Sequence, residues 1–228
     1  MKLSIIIPAY NEEDTIANLL KIISKVDFRI PFEIIVVDDG STDKTYDSIF
    51  KSKSQFKNIK MISYKKNRGK GYALRKGIKN SKGDIIIFQD ADLEYNPKQI
   101  PKLIEPIVNG ECDVVYGSRF IGKPKNISFL YMFGNKILTL FTNILFNSSL
   151  TDMETCYKAI RKDILKGISL GEDRFGIEPE ITAKLLKRGI TIKELPIKYF
   201  ARARRKGKKI KLIDGVKSFK TLLKVKFL

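Results

Sequence analysis

The 228-residue chain contains no His and only two Cys, Cys112 and Cys156. Without His, neither a Ser-His-Asp triad nor a Cys-His nucleophile can form, and a His-ligated zinc site is excluded. Two thiols are too few for a disulfide framework or a cysteine-rich metal site. Chemistry in this chain therefore has to use carboxylates, Lys or Arg, hydroxyls, backbone groups or a bound metal ion.

The common nucleotide-binding loops are also missing. No Gly-x-Gly-x-x-Gly follows the first predicted strand, and there is no Walker sequence. The segment Arg68-Gly69-Lys70-Gly71 lacks the third glycine, so we interpret it as a basic, flexible helix entry that can approach an anion. These absences disfavour Rossmann-type dinucleotide binding. A sugar nucleotidyltransferase is disfavoured as well, since it would need a glycine-rich loop where this chain has Pro8-Ala9-Tyr10.

Acidic residues are scarce in two long segments. The chain has 44 Lys and Arg against 25 Asp and Glu, a formal net charge of +19. Residues 51–82 contain twelve basic residues and no acid, and residues 198–228 contain twelve basic residues and only Asp214. Such segments favour an anionic partner, for example phosphates, a membrane surface or nucleic acid.

Short apolar runs and helical periodicity alternate in the first half of the chain. Strands are predicted at 3–7, 32–37, 59–64, 85–88 and 113–116, with helices after Asn11 and at 43–54, 69–80 and 97–108. This order predicts a parallel sheet covered on both faces. Later we expect one or two helices within 126–149, a strand at 153–160, a helix at 179–188, a strand at 190–199 and a basic amphipathic helix. With no repeat or linker, residues 1–228 are predicted to form one domain.

Acidic side chains follow two of the predicted strands. Asp38 and Asp39 end the second strand, and Asp90, Asp92 and Glu94 follow the fourth. In open parallel sheets ligands bind beyond the carboxyl ends of the strands. Asp90 and Asp92 share one side of an extended segment, as does Glu94 if the extension persists. Such carboxylates repel one another unless a cation lies between them, which predicts a Mg²⁺ or Mn²⁺ site.

Eight segments resemble a known family. Four of them resemble inverting family-2 glycosyltransferases of the GT-A fold: 5–12, 36–43, 67–71 and 90–92. The other four narrow the resemblance to the dolichyl-phosphate mannose and polyprenyl-phosphate glucose synthase group: 117–120, 151–158, 175–180 and 207–210. The resemblance runs from Lys2 to about Gly215. It implies an α/β fold of GT-A type, with a mainly parallel central sheet and amphipathic membrane-facing helices. Residues 1–117 would form the nucleotide-sugar-binding half, and 118–228 the acceptor-binding half with its basic tail.

The resemblance also implies roles for individual residues. The nucleotide-sugar site would comprise Pro8, Ala9, Tyr10, Glu12, Val37, Asp39, Lys70, Asp90, Ala91, Arg202 and Lys208. Asp90 and Asp92 match the catalytic metal motif, with Glu94 as a third ligand. Arg119, beside Ser118, matches the arginine that faces the acceptor phosphate. Ala203 departs from the family pattern, in which Thr usually follows the arginine at position 202.

The implied reaction is a metal-dependent, inverting transfer of a hexose from a GDP-mannose or UDP-glucose type donor to a polyprenyl or dolichyl phosphate. A phosphate monoester has a second pKa of about 6, so it is mostly ionised at neutral pH and needs no general base. Transfer to a hydroxyl of a polysaccharide or glycolipid is the alternative. It would need a carboxylate base, and Asp152, Glu154 and Glu178 are the candidates. A non-catalytic nucleic-acid binder is the third alternative, although strand-end acids would repel phosphates, so we expect no specific nucleic-acid partner.

The sequence further predicts a peripheral membrane protein. Residues 127–151 carry one charge, Lys136, but polar residues interrupt them, which favours helices against a membrane or core over a span. The tail places apolar residues among lysines, as a helix on an anionic membrane surface does. The first residues predict a strand and no signal peptide. We therefore expect a location at the cytoplasmic face of the membrane, with a membrane protein as an additional partner.

Overall fold

The computed structural model describes residues 1–122, 128–201 and 212–228. Seven strands form one sheet: β1 (Leu3–Ala9), β2 (Phe32–Asp38), β3 (Ile59–Ser63), β4 (Ile85–Phe88), β5 (Val114–Ser118), β6 (Lys158–Arg161) and β7 (Lys193–Pro196). The α-helices are α1 (Ile16–Ile23), α2 (Thr45–Gln55), α3 (Lys70–Asn80), α4 (Ile100–Val108), α5 (Phe129–Phe146), α6 (Ile177–Lys187) and α7 (Leu212–Phe227). Two short 3₁₀ helices, Pro97–Gln99 and Lys162–Leu165, complete the described elements.

The strand order is β3-β2-β1-β4-β6-β5-β7, and β6 runs antiparallel to both of its neighbours while every other pairing is parallel. The central strands are apolar along their length and buried on both faces, as in a helix-covered parallel sheet. The predicted α/β fold with a mainly parallel sheet flanked by helices is confirmed. One edge of the sheet collects the carboxyl ends of β1, β2, β4 and β5 and the amino end of β6.

The polar residues that precede α1 and α2 do not cap these helices, and the reason bears on the site. Asn11 does not cap α1, which begins at Ile16. Instead Asn11 takes a left-handed conformation (φ 50°), and its Oδ1 accepts a hydrogen bond from the Thr42 amide at 2.8 Å. Ser41 and Thr42 do not cap α2; the Ser41 hydroxyl accepts from the Asn11 amide at 3.0 Å. These bonds join the loops after β1 and β2, and so fix both strand ends relative to each other.

The strand predicted at 153–160 is shorter than expected. Only β6, Lys158–Arg161, pairs with the sheet. The preceding residues form a loop whose polar groups are used in the site. A second, smaller core lies between α5, α6 and α7, formed by Leu138, Met153, Ala183 and Leu222 with Val225.

One side of helix α5 is buried, and another side exposes apolar side chains to the surface. Phe129 and Ile144 are 74% and 71% exposed, and Leu130, Phe133 and Leu140 are exposed too. Within the described residues, α5 is the one helix whose length and composition would let it cross a membrane, with a mean hydropathy of 1.3 and 17% of it buried. The expectation that this segment contributes an apolar surface agrees with the structure, and its contact with a membrane stays a prediction.

Candidate active site

The ends of β1 and β2 bring together four residues predicted to bind the nucleotide. Pro8 pairs with Val37, and the Asp39 amide donates to the Ala9 carbonyl at 2.8 Å. Val37 is fully buried in a small core with Ile35, so it lies behind this edge and is not exposed at it. Pro8 is half-buried, which leaves its ring accessible at this edge.

Tyr10 and Glu12 follow in the loop after β1. Tyr10 is half-buried, whereas Glu12 is 8% exposed and helps to start α1. The Glu12 amide donates to the Thr45 hydroxyl at 2.7 Å, and the Glu12 carboxylate accepts from the Thr15 hydroxyl at 3.0 Å. This loop is therefore held in place by both α1 and α2.

Asp39 fixes the entry to α3. Its carboxylate accepts hydrogen bonds from the Arg68 amide at 2.9 Å, the Gly69 amide at 2.7 Å and the Asn67 side-chain amide at 2.8 Å. Burial raises the pKa of Asp39, and the two backbone donors oppose that rise. Gly69 has a φ of 106°, and a Cβ there would clash with the Asp173 carbonyl, so only glycine suits this position.

Lys70, the first residue of α3, reaches the end of β4. Its Nζ lies 2.7 Å from Asp90 Oδ1 and 3.0 Å from Glu178 Oε1. On the other side of Glu178, Oε2 lies 3.0 Å from Nζ of the fully buried Lys158. Burial alone would raise the pKa of Asp90, but the Lys70 ammonium outweighs it and this pKa falls. Burial likewise disfavours the charged Lys70, yet the neighbouring carboxylates hold its pKa well above the usual value.

The three carboxylates predicted to bind a metal ion are not grouped together in the structure. Leu93 takes a left-handed conformation (φ 63°), so the extended segment ends before Glu94. The Glu94 carboxylate turns to the Tyr199 hydroxyl, from which it accepts a hydrogen bond. Among the described residues no three carboxylates, thiols or imidazoles are grouped as metal ligands.

Asp90 and Asp92 remain together at the edge of the sheet. Asp92 is half-buried, and its Oδ1 accepts from the Glu94 amide at 3.1 Å. Ala91 between them is buried in the main core. Two carboxylates suit an oxygen-preferring ion such as Mg²⁺ or Mn²⁺ whose other ligands are phosphate oxygens and water. The residues thus fit a divalent ion, with fewer protein ligands than expected.

Arg119, directly after β5, is held by a buried carboxylate. Its Nε and Nη2 donate to Asp152 at 2.8 and 2.7 Å, and its backbone amide donates to the same carboxylate at 2.9 Å. Arg119 is 7% exposed and Asp152 is fully buried. Ser118 beside it shares a hydrogen bond of 2.6 Å with the Thr151 hydroxyl. The guanidinium is consequently fixed and charged at the same edge as Asp90.

The three candidate bases differ in their surroundings. Asp152 is paired with Arg119, and Glu178 lies between Lys70 and Lys158. Glu154 is different, because burial raises its pKa to about 7 against the opposing charge of Lys158. Its Oε1 is buried and has no hydrogen-bond partner within the described part of the chain. The two Glu178 oxygens also lack a hydrogen bond there, but each lies 3.0 Å from an ammonium group.

Two residues near Asp90 were not predicted as part of the site. Lys158 donates to the Met153 and Thr155 carbonyls at 2.8 and 2.5 Å, and the Cys156 thiol lies beside Asp90 and helps to lower the pKa of that carboxylate. The available signal for Lys158 was a basic residue placed between Tyr157 and the apolar pair Ala159 and Ile160 in a predicted strand. Arg202 and Lys208, predicted to cover the diphosphate, lie outside the described residues.

A mainly parallel sheet with carboxylates, Lys and Arg at one edge is the arrangement of GT-A enzymes, which transfer sugars from nucleotide donors. The structure has a TM-score of 0.78 to glucosyl-3-phosphoglycerate synthase from Mycobacterium tuberculosis in complex with Mn²⁺, UDP and glucosyl-3-phosphoglycerate, at 22% identity over 98% of this chain and 79% of that one. This likeness shows the GT-A fold. Residues 4–169 match the glycosyl transferase family 2. The chain belongs to that family and is a glycosyltransferase.

Two relatives are more similar to this chain in sequence than the solved structure is. The chain is 34% identical over 212 residues to a dolichol-phosphate mannosyltransferase from Pyrococcus furiosus, covering 91% of this chain but only 59% of that protein. It is 32% identical over 243 residues to a UDP-N-acetylglucosamine–dolichyl-phosphate N-acetylglucosaminyltransferase from Methanococcus voltae, covering 97% of this chain and 95% of that one. The predicted family is confirmed.

Proposed function

We propose that this glycosyltransferase moves a hexose from a nucleotide-diphosphate sugar to a polyprenyl or dolichyl phosphate at a membrane surface, with inversion at the sugar carbon. Both relatives above are named for transfer to a dolichyl phosphate, one from UDP-N-acetylglucosamine. The two names give different sugars and only one of them gives a donor nucleotide, so UDP and GDP donors are both candidates for this chain.

The observation that carries the proposal is the pairing of the acidic groups. Asp152 and Glu178 are each engaged by cationic side chains, so neither carboxylate is free to contact an acceptor hydroxyl. A phosphate monoester is already a nucleophilic anion at neutral pH and needs no base. It does need a cation for recognition, and Arg119 supplies a buried, permanently charged guanidinium.

On the donor side, we propose that Pro8, Tyr10 and Asp39 contact the base and ribose, while Lys70 binds the diphosphate. Asp90 and Asp92 would hold a Mg²⁺ or Mn²⁺ ion, which stabilises charge on a leaving diphosphate. Preorganised cations of this kind favour departure of the nucleoside diphosphate, since its negative charge grows as the glycosidic bond breaks.

Membrane attachment is proposed from two helices in the second half. The exposed apolar side of α5 and the lysines of α7 would face the bilayer together, because apolar side chains enter the interface while lysines meet anionic headgroups. This would place the site at the cytoplasmic face, where the lipid phosphate is presented. A membrane-protein partner on this side is part of the same proposal.

The experiment combines purified protein, Mg²⁺ or Mn²⁺, detergent-dispersed polyprenyl phosphate and a panel of UDP- and GDP-sugars. We expect a glycosyl phospholipid in the organic extract by mass spectrometry, lost with EDTA or with Asp92→Ala. Asp27→Ala is the control, because it removes an exposed carboxylate that lies 65 residues before Asp92 in the sequence. A protein that binds neither UDP nor GDP with either metal would contradict the proposal.

A second function is favoured by Glu154. A carboxylate with a pKa of about 7 is suited to general base catalysis at neutral pH, as transfer to a sugar hydroxyl requires. In that case Glu154→Gln would abolish activity, and activity of the unmodified enzyme would rise as the pH passes through 7. With a phosphate acceptor, Glu154→Gln keeps most of its activity.

A further inference from the structure

A chain of alternating charges crosses the site. Asp90, Lys70, Glu178 and Lys158 follow one another at 2.7, 3.0 and 3.0 Å. Its far end is anchored, because Lys158 also donates to two carbonyls of the loop before β6. These four side chains therefore connect the Asp90 carboxylate, just after β4, to the loop that carries Asp152.

Glu178 is the central member of this chain. Its side chain is 5% exposed, and each of its oxygens faces one ammonium group. A buried carboxylate between two lysines balances charges that would otherwise repel each other in a low-dielectric environment. Helix α6, which carries Glu178 at its second residue, thus determines where the ammonium of Lys70 lies.

We propose that Glu178 is a positioning residue for the donor diphosphate. It holds the flexible Lys70 side chain in one conformation, with its ammonium at the edge of the sheet, and Lys158 fixes Glu178 in turn. Diphosphate binding then avoids the entropy cost of ordering a lysine. This inference rests on the function proposed above, because it requires a donor with a diphosphate.

The test is nucleotide binding to Glu178→Gln, measured by calorimetry with UDP and GDP in Mg²⁺. An amide cannot balance two ammonium groups, so Lys70 keeps only the Asp90 carboxylate as a charged partner and is held less firmly. We expect roughly tenfold weaker binding of the nucleoside diphosphate. Binding of the matching nucleoside, which carries no phosphate, should stay within about twofold, measured by competition.

The same measurement in a Lys70→Met background separates positioning from a general structural effect. If Glu178 acts through Lys70, Glu178→Gln should have little further effect on diphosphate affinity there. Glu180→Gln is the matched control, since Glu180 lies on the same helix, is 5% exposed and also pairs with a lysine, Lys184.

Three results would overturn the inference: unchanged or tighter diphosphate binding in Glu178→Gln, an equal loss for the nucleoside, or an undiminished effect without Lys70. If Glu178→Gln does not fold, the double variant Lys158→Met/Glu178→Gln restores the charge balance, and the same comparison applies. Failure of the unmodified enzyme to bind either diphosphate would instead contradict the proposed function.

Discussion

Two buried carboxylates, one in each half of the molecule, are held in different ways. In the first half, Asp39 is bound by two backbone amides and one side-chain amide. In the second half, Asp152 is bound by the guanidinium and amide of Arg119. Neutral donors fix a loop without adding charge, whereas an ion pair also positions a cation. The first arrangement suits a shaped nucleotide pocket, and the second suits recognition of an anionic acceptor.

The largest expected effect comes from breaking the ion pair of the second half. Asp152→Ala leaves a buried guanidinium without its counter-charge, which costs about 3–5 kcal/mol of folding free energy. Chemical denaturation measures the change. Asp163→Ala, which removes an exposed partner of Arg161, is the control and should cost less than about 1 kcal/mol. Similar losses for the two variants would contradict the account of the pair.

A smaller loss is expected in the first half. Asp39→Asn replaces one acceptor oxygen by an amide NH₂, so at least one amide of the 67–69 loop loses its partner. Leaving a buried donor unsatisfied costs about 2 kcal/mol. The change is again measured by denaturation, with Asp47→Asn on the exposed side of α2 as the control. A loss as large as that of Asp152→Ala would remove the proposed difference between the halves.

Glu154 provides a pH-dependent test. Its pKa is about 7 in the folded protein and 4.5 as an ordinary value, so the folded state binds more protons between these values. Stability from this group is therefore present below pH 4.5 and is lost as the pH rises through 7. Glu154→Gln should be more stable than the unmodified protein at pH 8, by at least about 1 kcal/mol, with no gain at pH 4.

Thermal denaturation at a series of pH values checks this prediction. Glu105→Gln, an exposed change on α4, should shift the curve equally at all pH values. A pH-independent effect of Glu154→Gln would mean that burial does not raise the pKa of this carboxylate.

The smallest effect on stability is expected on α5. Replacing Phe129, Phe133, Leu140 and Ile144 by Ser changes exposed side chains, so each substitution should alter stability by less than about 0.5 kcal/mol. In flotation with anionic vesicles, the variant with all four substitutions should nevertheless lose most of the vesicle binding that the unmodified protein shows. Phe50→Ser, an exposed apolar position on α2, should keep vesicle binding. Equal binding by both variants would argue against α5 as the membrane surface.

The comparison of the halves also shows what could be predicted from sequence. The strands and helices of the first half follow local patterns, and strand-end acids such as Asp39 and Asp90 were correctly expected at one edge. The surroundings of Glu94 could not be predicted, because its carboxylate meets the hydroxyl of Tyr199, which lies over a hundred residues further along the chain. Sequence periodicity carries no information about such a distant contact.

The second half was harder for a related reason. Its site depends on pairs that are distant in sequence, such as Lys70 with Glu178. The antiparallel insertion of β6 between β4 and β5 makes these contacts, and no local pattern indicates where a later strand enters a sheet. Asp152, Glu154 and Glu178 were therefore recognisable as candidates, but only the structure separates the paired ones from Glu154.

The most direct test of the account compares two acceptors that differ only at the end of the lipid. Polyprenyl phosphate and the corresponding polyprenol are offered to the unmodified enzyme and to Glu154→Gln, with the donor that the enzyme accepts, and extracted products are measured by mass spectrometry. The account predicts that only the phosphate is glycosylated and that Glu154→Gln retains most of this activity. Glycosylation of the hydroxyl lipid that depends on Glu154 would contradict it.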